Sequence, residues 1–191
     1  MQEKKLYTIT IFSENNVGIL NLISIVYTRR FINIEGISAS TTSIPGIYKT
    51  TVLSYSDRET MEKVKSQIEK AIYVVKAFLY TDDEIIFQEV ALYKVPTKQM
   101  FKRNNLENII RTYNARILDI TPDFIVIEKT GHYNETEMLF KELKSYDIKQ
   151  FVRSGRVCVT KDPVEHLDAY LAKRDKDFAK MLGTKKADKS K

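Results

Sequence analysis

The sequence predicts an α+β protein built from two tandem βαββαβ units, followed by a C-terminal helix and a basic tail. Each unit is a four-stranded antiparallel sheet with two helices on one face, the ferredoxin-like arrangement. Three observations lead there. Apolar spacing switches between a period of two and a period of 3.6 in a fixed order. That order (strand, helix, strand, strand, helix, strand) runs through residues 1–81 and again through 84–161. Each half holds roughly 80 residues, enough for a minimal domain.

In the first half, Tyr7, Ile9 and Ile11 alternate with Thr8 and Thr10 over residues 6–12, a half-buried strand. The polar loop Ser13-Glu14-Asn15-Asn16-Val17-Gly18 follows. Ile19, Leu22, Ile23, Val26 and Tyr27 then fall on one helical face within 18–30. Residues 32–42 and 47–55 read as strands, and Ile44-Pro45-Gly46 between them is a turn signal that makes a hairpin. Met61, Val64 and Ile68 give a helix over 57–70, and 71–80 is a buried strand. The second half repeats this. A strand over 84–95 ends at Pro96, and a helix carries Leu106, Ile109, Ile110 and Tyr113. Strands at 115–120 and 123–130 are broken by Thr121-Pro122-Asp123; a helix spans 135–145 and a final strand 148–160. Beyond them Asp162-Pro163-Val164-Glu165 reads as a helix start, with Asp162 as cap and Pro163 in the first turn. Its stripe of Val164, Leu167, Tyr170, Leu171 and Phe178 packs on its own domain or docks on a partner.

Composition excludes several classes. No apolar run approaches the roughly 18–20 residues that span a bilayer. With Cys158 as the single cysteine, no intramolecular disulfide forms, and a reducing cytoplasm is the expected setting. The net charge of +6 is uneven: residues 171–191 hold eight Lys/Arg and three Asp, leaving about +1 for the first 170. The tail therefore reads as a solvated segment that aids solubility, not a grip on nucleic acid. The chain has two histidines, His132 and His166, and lacks paired metal-ligand spacing, a nucleophile elbow, a P-loop and a dinucleotide fingerprint. No catalytic residue, metal site or cofactor is expected on this chain. Asp82-Asp83-Glu84 reads as a solvated linker, and Cys158 as a core or sheet-face residue.

The chemistry-bearing segment is Glu14-Asn15-Asn16-Val17-Gly18-Ile19-Leu20, between a strand and a helix. A helix N-terminus presents free N–H groups and partial positive charge, suited to a small carboxylate. Gly18 lets backbone approach a ligand, Asn15 offers donor and acceptor, and Asn33 is expected to open the second strand beside the loop. A branched apolar group would rest against Val17, Ile19 and Ile34. A plain capped turn would have the same residues.

The pattern Glu-Asn-x-x-Gly-x-Leu, then helix, then Asn33-Ile34-Glu35 resembles an ACT domain, a fold used to sense amino acids. It is similar to the version heading the small regulatory subunits of acetolactate synthase. The second half supports that family through Lys102-Arg103-Asn104, Ala115 to Pro122, Glu128-Lys129-Thr130-Gly131 and Val152-Arg153-Ser154-Gly155-Arg156-Val157, in the family's order and spacing. The likeness covers roughly residues 6–160. It implies that Asn15, Gly18 and Asn33 contact a regulatory valine or related amino acid, at the interface of a homodimer formed through ACT domains. It also implies a catalytic large subunit as partner, with thiamine diphosphate, magnesium and FAD on that partner. The expected role is to raise that enzyme's activity and confer feedback inhibition in branched-chain amino acid synthesis. Two departures stand out: the family's usual glycine before Asn-Ile is replaced by Phe31, and the C-terminal extension is longer than in short members. The alternative is a free-standing ACT sensor controlling another enzyme or a transcription factor. RNA binding shares the strand order, but Gly46 to Leu53 lacks the basic-Gly-aromatic signature.

Overall fold

The computed structural model describes residues 4–102, 105–174 and 176. Expectations for Arg103, Asn104, Phe178 and the basic tail lie outside the described residues. The first sheet holds β1 (Lys5–Glu14), β2 (Gly36–Thr41), β3 (Ile47–Ser56) and β4 (Val74–Tyr80) in the order β2-β3-β1-β4, each pair antiparallel. Helices α1 (Ile19–Thr28) and α2 (Arg58–Ile68) pack on one face of it. Tyr7, Ile9 and Ile11 of β1 meet Ile23, Val26 and Tyr27 of α1 and Met61, Val64 and Ile68 of α2. The odd-numbered positions of β1 thus face the helices, as the period-two pattern requires.

The second sheet repeats this topology. It holds β5 (Ile85–Pro96), β6 (Arg116–Ile120), β7 (Phe124–Gly131), β8 (Gln150–Arg153) and β9 (Val157–Thr160), in the order β6-β7-β5-β8, with β9 also on β5. Three helices accompany it, α3 (Thr97–Lys102), α4 (Leu106–Thr112) and α5 (Tyr133–Leu143). Ala91, Tyr93 and Val95 of β5 bury against Leu106, Ile110, Leu139 and Leu143. On the opposite face Ile86, Val90, Leu92, Val152, Val157 and Val159 stand exposed.

The structure corrects several expectations. The second strand begins at Gly36, not 32, because the chain leaves α1 through Phe31 in the left-handed region. The last strand is two strands, since β8 and β9 pair with β5 in registers one residue apart. Ser154 fills the break: its N–H donates to Val90 and its hydroxyl accepts from the Val90 N–H. This is a bulge in which a side chain replaces a ladder group. The C-terminal helix, α6 (166–174), starts later than Pro163.

β1 is not half-buried but buried on both faces from Tyr7 to Ser13. The reason is that the second unit covers the first unit's helix-free face. Ser38 donates to the Arg156 carbonyl at 2.7 Å, and Lys49 donates to the Cys158 carbonyl at 2.6 Å. Tyr80, Ile85, Phe87 and Cys158 form a third apolar cluster there. Gly155 lies so close to β2 that an added Cβ would sit 2.8 Å from the Ile37 carbonyl oxygen. The α6 helix packs on the N-terminal sheet, burying Leu167 of its apolar stripe while Val164 stays exposed. His166 stacks on Tyr80 and tilts against Phe78, and Lys76 lies 5.5 Å from the Tyr170 ring centre. His166 bridges the Tyr80 hydroxyl at 2.9 Å and Asp162 at 3.0 Å. That hydrogen bond holds the Asp162 carboxyl below its usual range, and burial pushes the Tyr80 phenol up to about 12.

The acidic run at the junction is no plain solvated linker. Asp82 pairs at 2.7 Å with Arg156, whose side chain is 4% exposed, and Arg156 also meets Glu89 at 3.3 Å. The guanidinium lies 3.7 Å above the Phe87 ring. Glu84 closes a capping box by accepting from the Thr81 N–H at 2.7 Å.

Candidate functional site

The long helices differ in how they begin. Asp57 caps α2 by accepting the Thr60 N–H at 2.8 Å, which lowers the Asp57 carboxyl pKa. Glu135 reaches back to the His132 N–H at 2.6 Å at the start of α5. At α1 the cap position is Gly18, with φ 96°, no side chain to offer and no acidic residue in the first turn. A Cβ at position 18 would meet nothing within 4 Å, so backbone conformation, not space, calls for glycine. The N–H groups of this helix end therefore have no side-chain cap, and their partial positive charge is unopposed within the element.

That end opens into a recess of about 280 Å³ lined by Glu14, Asn15, Asn16, Gly18, Ile19, Leu20, Ala39, Tyr48 and Thr50. It is small for a ligand pocket, and holds donors, acceptors and aliphatic carbon side by side. Asn15, Gly18 and Ile19 are brought together here. Val17 stands fully exposed and is not part of the wall. Asn33 and Ile34 are elsewhere. They follow the far end of α1, roughly 15 Å along a ten-residue helix, in the irregular segment before β2. Ile34 packs against the first core and Asn33 is exposed. Within one chain Asn33 does not lie beside the loop.

Ala39, Tyr48 and Thr50 were not anticipated. Their signal was the turn at Ile44-Pro45-Gly46, where Gly46 has φ 80°. This turn sets the register that pairs Ala39 with Thr50 and Thr41 with Tyr48.

A larger cleft of about 880 Å³ separates the two units, with Glu35, Tyr55, Asp82, Tyr133, Arg153 and Arg156 among its walls. Both arginines are matched by carboxylates of the chain itself. Arg153 meets Glu137 at 3.1 Å and Glu89 at 3.8 Å, and Arg156 is held by Glu89 and Asp82. The charges cancel, so this cleft is a polar seam between domains, not an anion site.

Two tandem βαββαβ domains, the first opening a small polar recess at an uncapped helix end, define a protein of the ACT-domain regulatory class. The sequence comparisons agree in both halves. The family model described as the AHAS small subunit-like ACT domain matches residues 9–76, and that for the small subunit of acetolactate synthase matches 88–162. The acetolactate synthase small subunit of Bacillus subtilis is 33% identical over 153 residues, covering 80% of this chain and 87% of the relative. That of Aquifex aeolicus is 29% identical over 156 residues, covering 82% and 81%. The crystal structure of the Thermotoga maritima small subunit superposes with a TM-score of 0.75 at 21% identity, covering 84% of this chain and 99% of that one. The chain belongs to the acetolactate synthase small-subunit family, and it is a regulatory subunit that works with a catalytic large subunit.

Proposed function

We propose that this chain senses a branched-chain amino acid, valine first, in the recess at the start of α1, and relays its presence to the catalytic subunit. The observation that carries this reading is the uncapped N-terminus of α1 opening into a recess of amino-acid size. The α-carboxylate would take the helix-end N–H groups. Asn15 would hold a polar group of the effector, and Ile19 with Leu20 would meet its side chain. The effector sits between two copies paired through their ACT domains, so that Asn33 reaches the site from the second copy. In that pairing α1 meets its counterpart beside β2, an edge strand of the first sheet.

Control is linkage. An effector inhibits only if it binds the inhibited arrangement more tightly, typically by about 1–3 kcal/mol. Without effector the subunit raises the activity of its partner, which carries the thiamine diphosphate, magnesium and FAD, and both act in the cytoplasm. The test is calorimetry with valine on the wild type, Asn15→Ala and Gly18→Asp. Gly18→Asp sets a charged side chain at a positive-φ position where the carboxylate should lie. The expected result is binding by the wild type and none by either folded variant. If the wild type binds no branched-chain amino acid even with the catalytic subunit present, the sensing role is wrong.

A further inference from the structure

We propose that Phe31 of one copy forms a wall of the effector recess in a second copy, packing on its Val17–Leu20 end and selecting a short branched side chain. This rests on the sensing role proposed above. It starts from an anomaly. Phe31 has φ 54°, a region that disfavours a bulky L residue, and is 97% exposed. The Ile32 N–H bonds back to the Tyr27 carbonyl, closing the end of α1 in a way that suits glycine. An aromatic ring in water at a strained position gains nothing inside its own chain.

The surroundings say what covers it. On the same helical layer, the outward face of α2 is charged, with Arg58, Glu59, Glu62 and Lys63. Helix α1 carries no charge from Ile19 to Thr28, yet exposes Leu20 and Ile25. Its outward face is uncharged and mixed, with Leu20 and Ile25 beside Asn21, Ser24 and Thr28, the kind of helix face that a second copy can cover. Its two ends match each other. At the start stand the exposed Val17, Leu20 and Glu14; at the finish stand Phe31 and the exposed Arg29. A two-fold axis that sets α1 antiparallel to its copy puts Phe31 on Val17 and Leu20, and Arg29 near Glu14, at both ends at once. This is the self-complementarity that an isologous dimer requires. The recess lies at the Glu14–Leu20 end, where the incoming Phe31 ring supplies a further side, with Asn33 two residues further along. A ring there limits the length of the effector side chain.

Two measurements test this. The first is disulfide cross-linking of Val17→Cys with Phe31→Cys in a Cys158→Ala background. Within one chain the two positions flank α1 at opposite ends, at least its roughly 15 Å length apart, far beyond a disulfide's span. The expected product is a covalent dimer, absent from both single-cysteine variants. A double variant that stays monomeric, or runs as a ladder of larger species, overturns the packing. The second is calorimetry on Phe31→Gly, with circular dichroism to confirm its fold. The ratio of leucine to valine dissociation constants should fall by about tenfold. An unchanged ratio overturns the role of Phe31 as a pocket wall. A wild type that binds neither amino acid removes the sensing role itself, while the cross-link still decides the packing.

Discussion

Replacing Arg156 by methionine should weaken the protein more than most single changes. The side chain of Arg156 is 4% exposed and holds Glu89, itself 5% exposed, at 3.3 Å and Asp82 at 2.7 Å. Methionine keeps most of the stem, so the loss is electrostatic. Asp82, half exposed, is rehydrated at small cost. Glu89 is left with only Arg153 at 3.8 Å. A buried carboxylate stripped of its main partner costs about 3 kcal/mol, and the lost cation–π contact with Phe87 adds about 1 kcal/mol. For a chain of this size that is roughly a 10 °C drop in Tm. Urea unfolding at pH 7 would read it as a lower midpoint with an unchanged slope. The double variant Arg156→Met, Glu89→Met removes the orphaned charge and should recover more than half of the loss. A single-variant cost below about 1 kcal/mol, or a double variant no better than the single, would refute the reading that Arg156 neutralises the buried Glu89 carboxylate.

Three further outcomes are expected. Gly155→Ala forces a Cβ to within 2.8 Å of the Ile37 carbonyl, and should cost about 1–3 kcal/mol by urea unfolding, while the same change at an exposed loop position costs far less. His166→Ala removes the bridge between Tyr80 and Asp162; trypsin should then cut after Lys173 and Arg174 about tenfold faster at 25 °C as α6 opens. Asp57→Ala should lower the urea midpoint at pH 7. Because the Asp57 carboxyl is held below its usual range, its contribution is complete above the unfolded value near pH 4 and disappears as pH falls through the folded value. The gap between wild type and variant is therefore open at neutral pH and closed in strong acid.

The first unit was legible because its periods are clean. Tyr7, Ile9 and Ile11 read as one face of a strand, Met61, Val64 and Ile68 as one face of a helix, and both pack as read. What misled was local chemistry that pattern does not encode. A strand over 32–42 ignores that Phe31 turns the chain through positive φ, which delays β2 to Gly36. The run 148–160 reads as one strand because Val152, Val157 and Val159 look continuous, yet Ser154 breaks the ladder with its own hydroxyl. Long-range burial was invisible altogether. Thr8 and Thr10 look like solvent-facing residues, and nothing local says that a second domain covers them. Asn15, Gly18 and Ile19 were legible as one group because they lie within five residues of each other and line one recess. The hairpin wall of Ala39, Tyr48 and Thr50 needed a register, and Asn33 follows the far end of α1, away from that recess in its own chain.

The two halves look like interchangeable modules, a repeat that could be lengthened or trimmed, but β5 binds them together. Its odd-numbered side chains serve two masters. Ile85 and Phe87 bury between the domains, while Ala91, Tyr93 and Val95 build the second core, and Glu89 with its arginines marks the change. Cutting the gene at the repeat boundary would bare Phe78 and Tyr80 on one product and Ile85, Phe87 and Cys158 on the other. A change of side-chain size on either side of β5 is therefore felt by the other, and the two domains hold together as one packed body despite their doubled architecture.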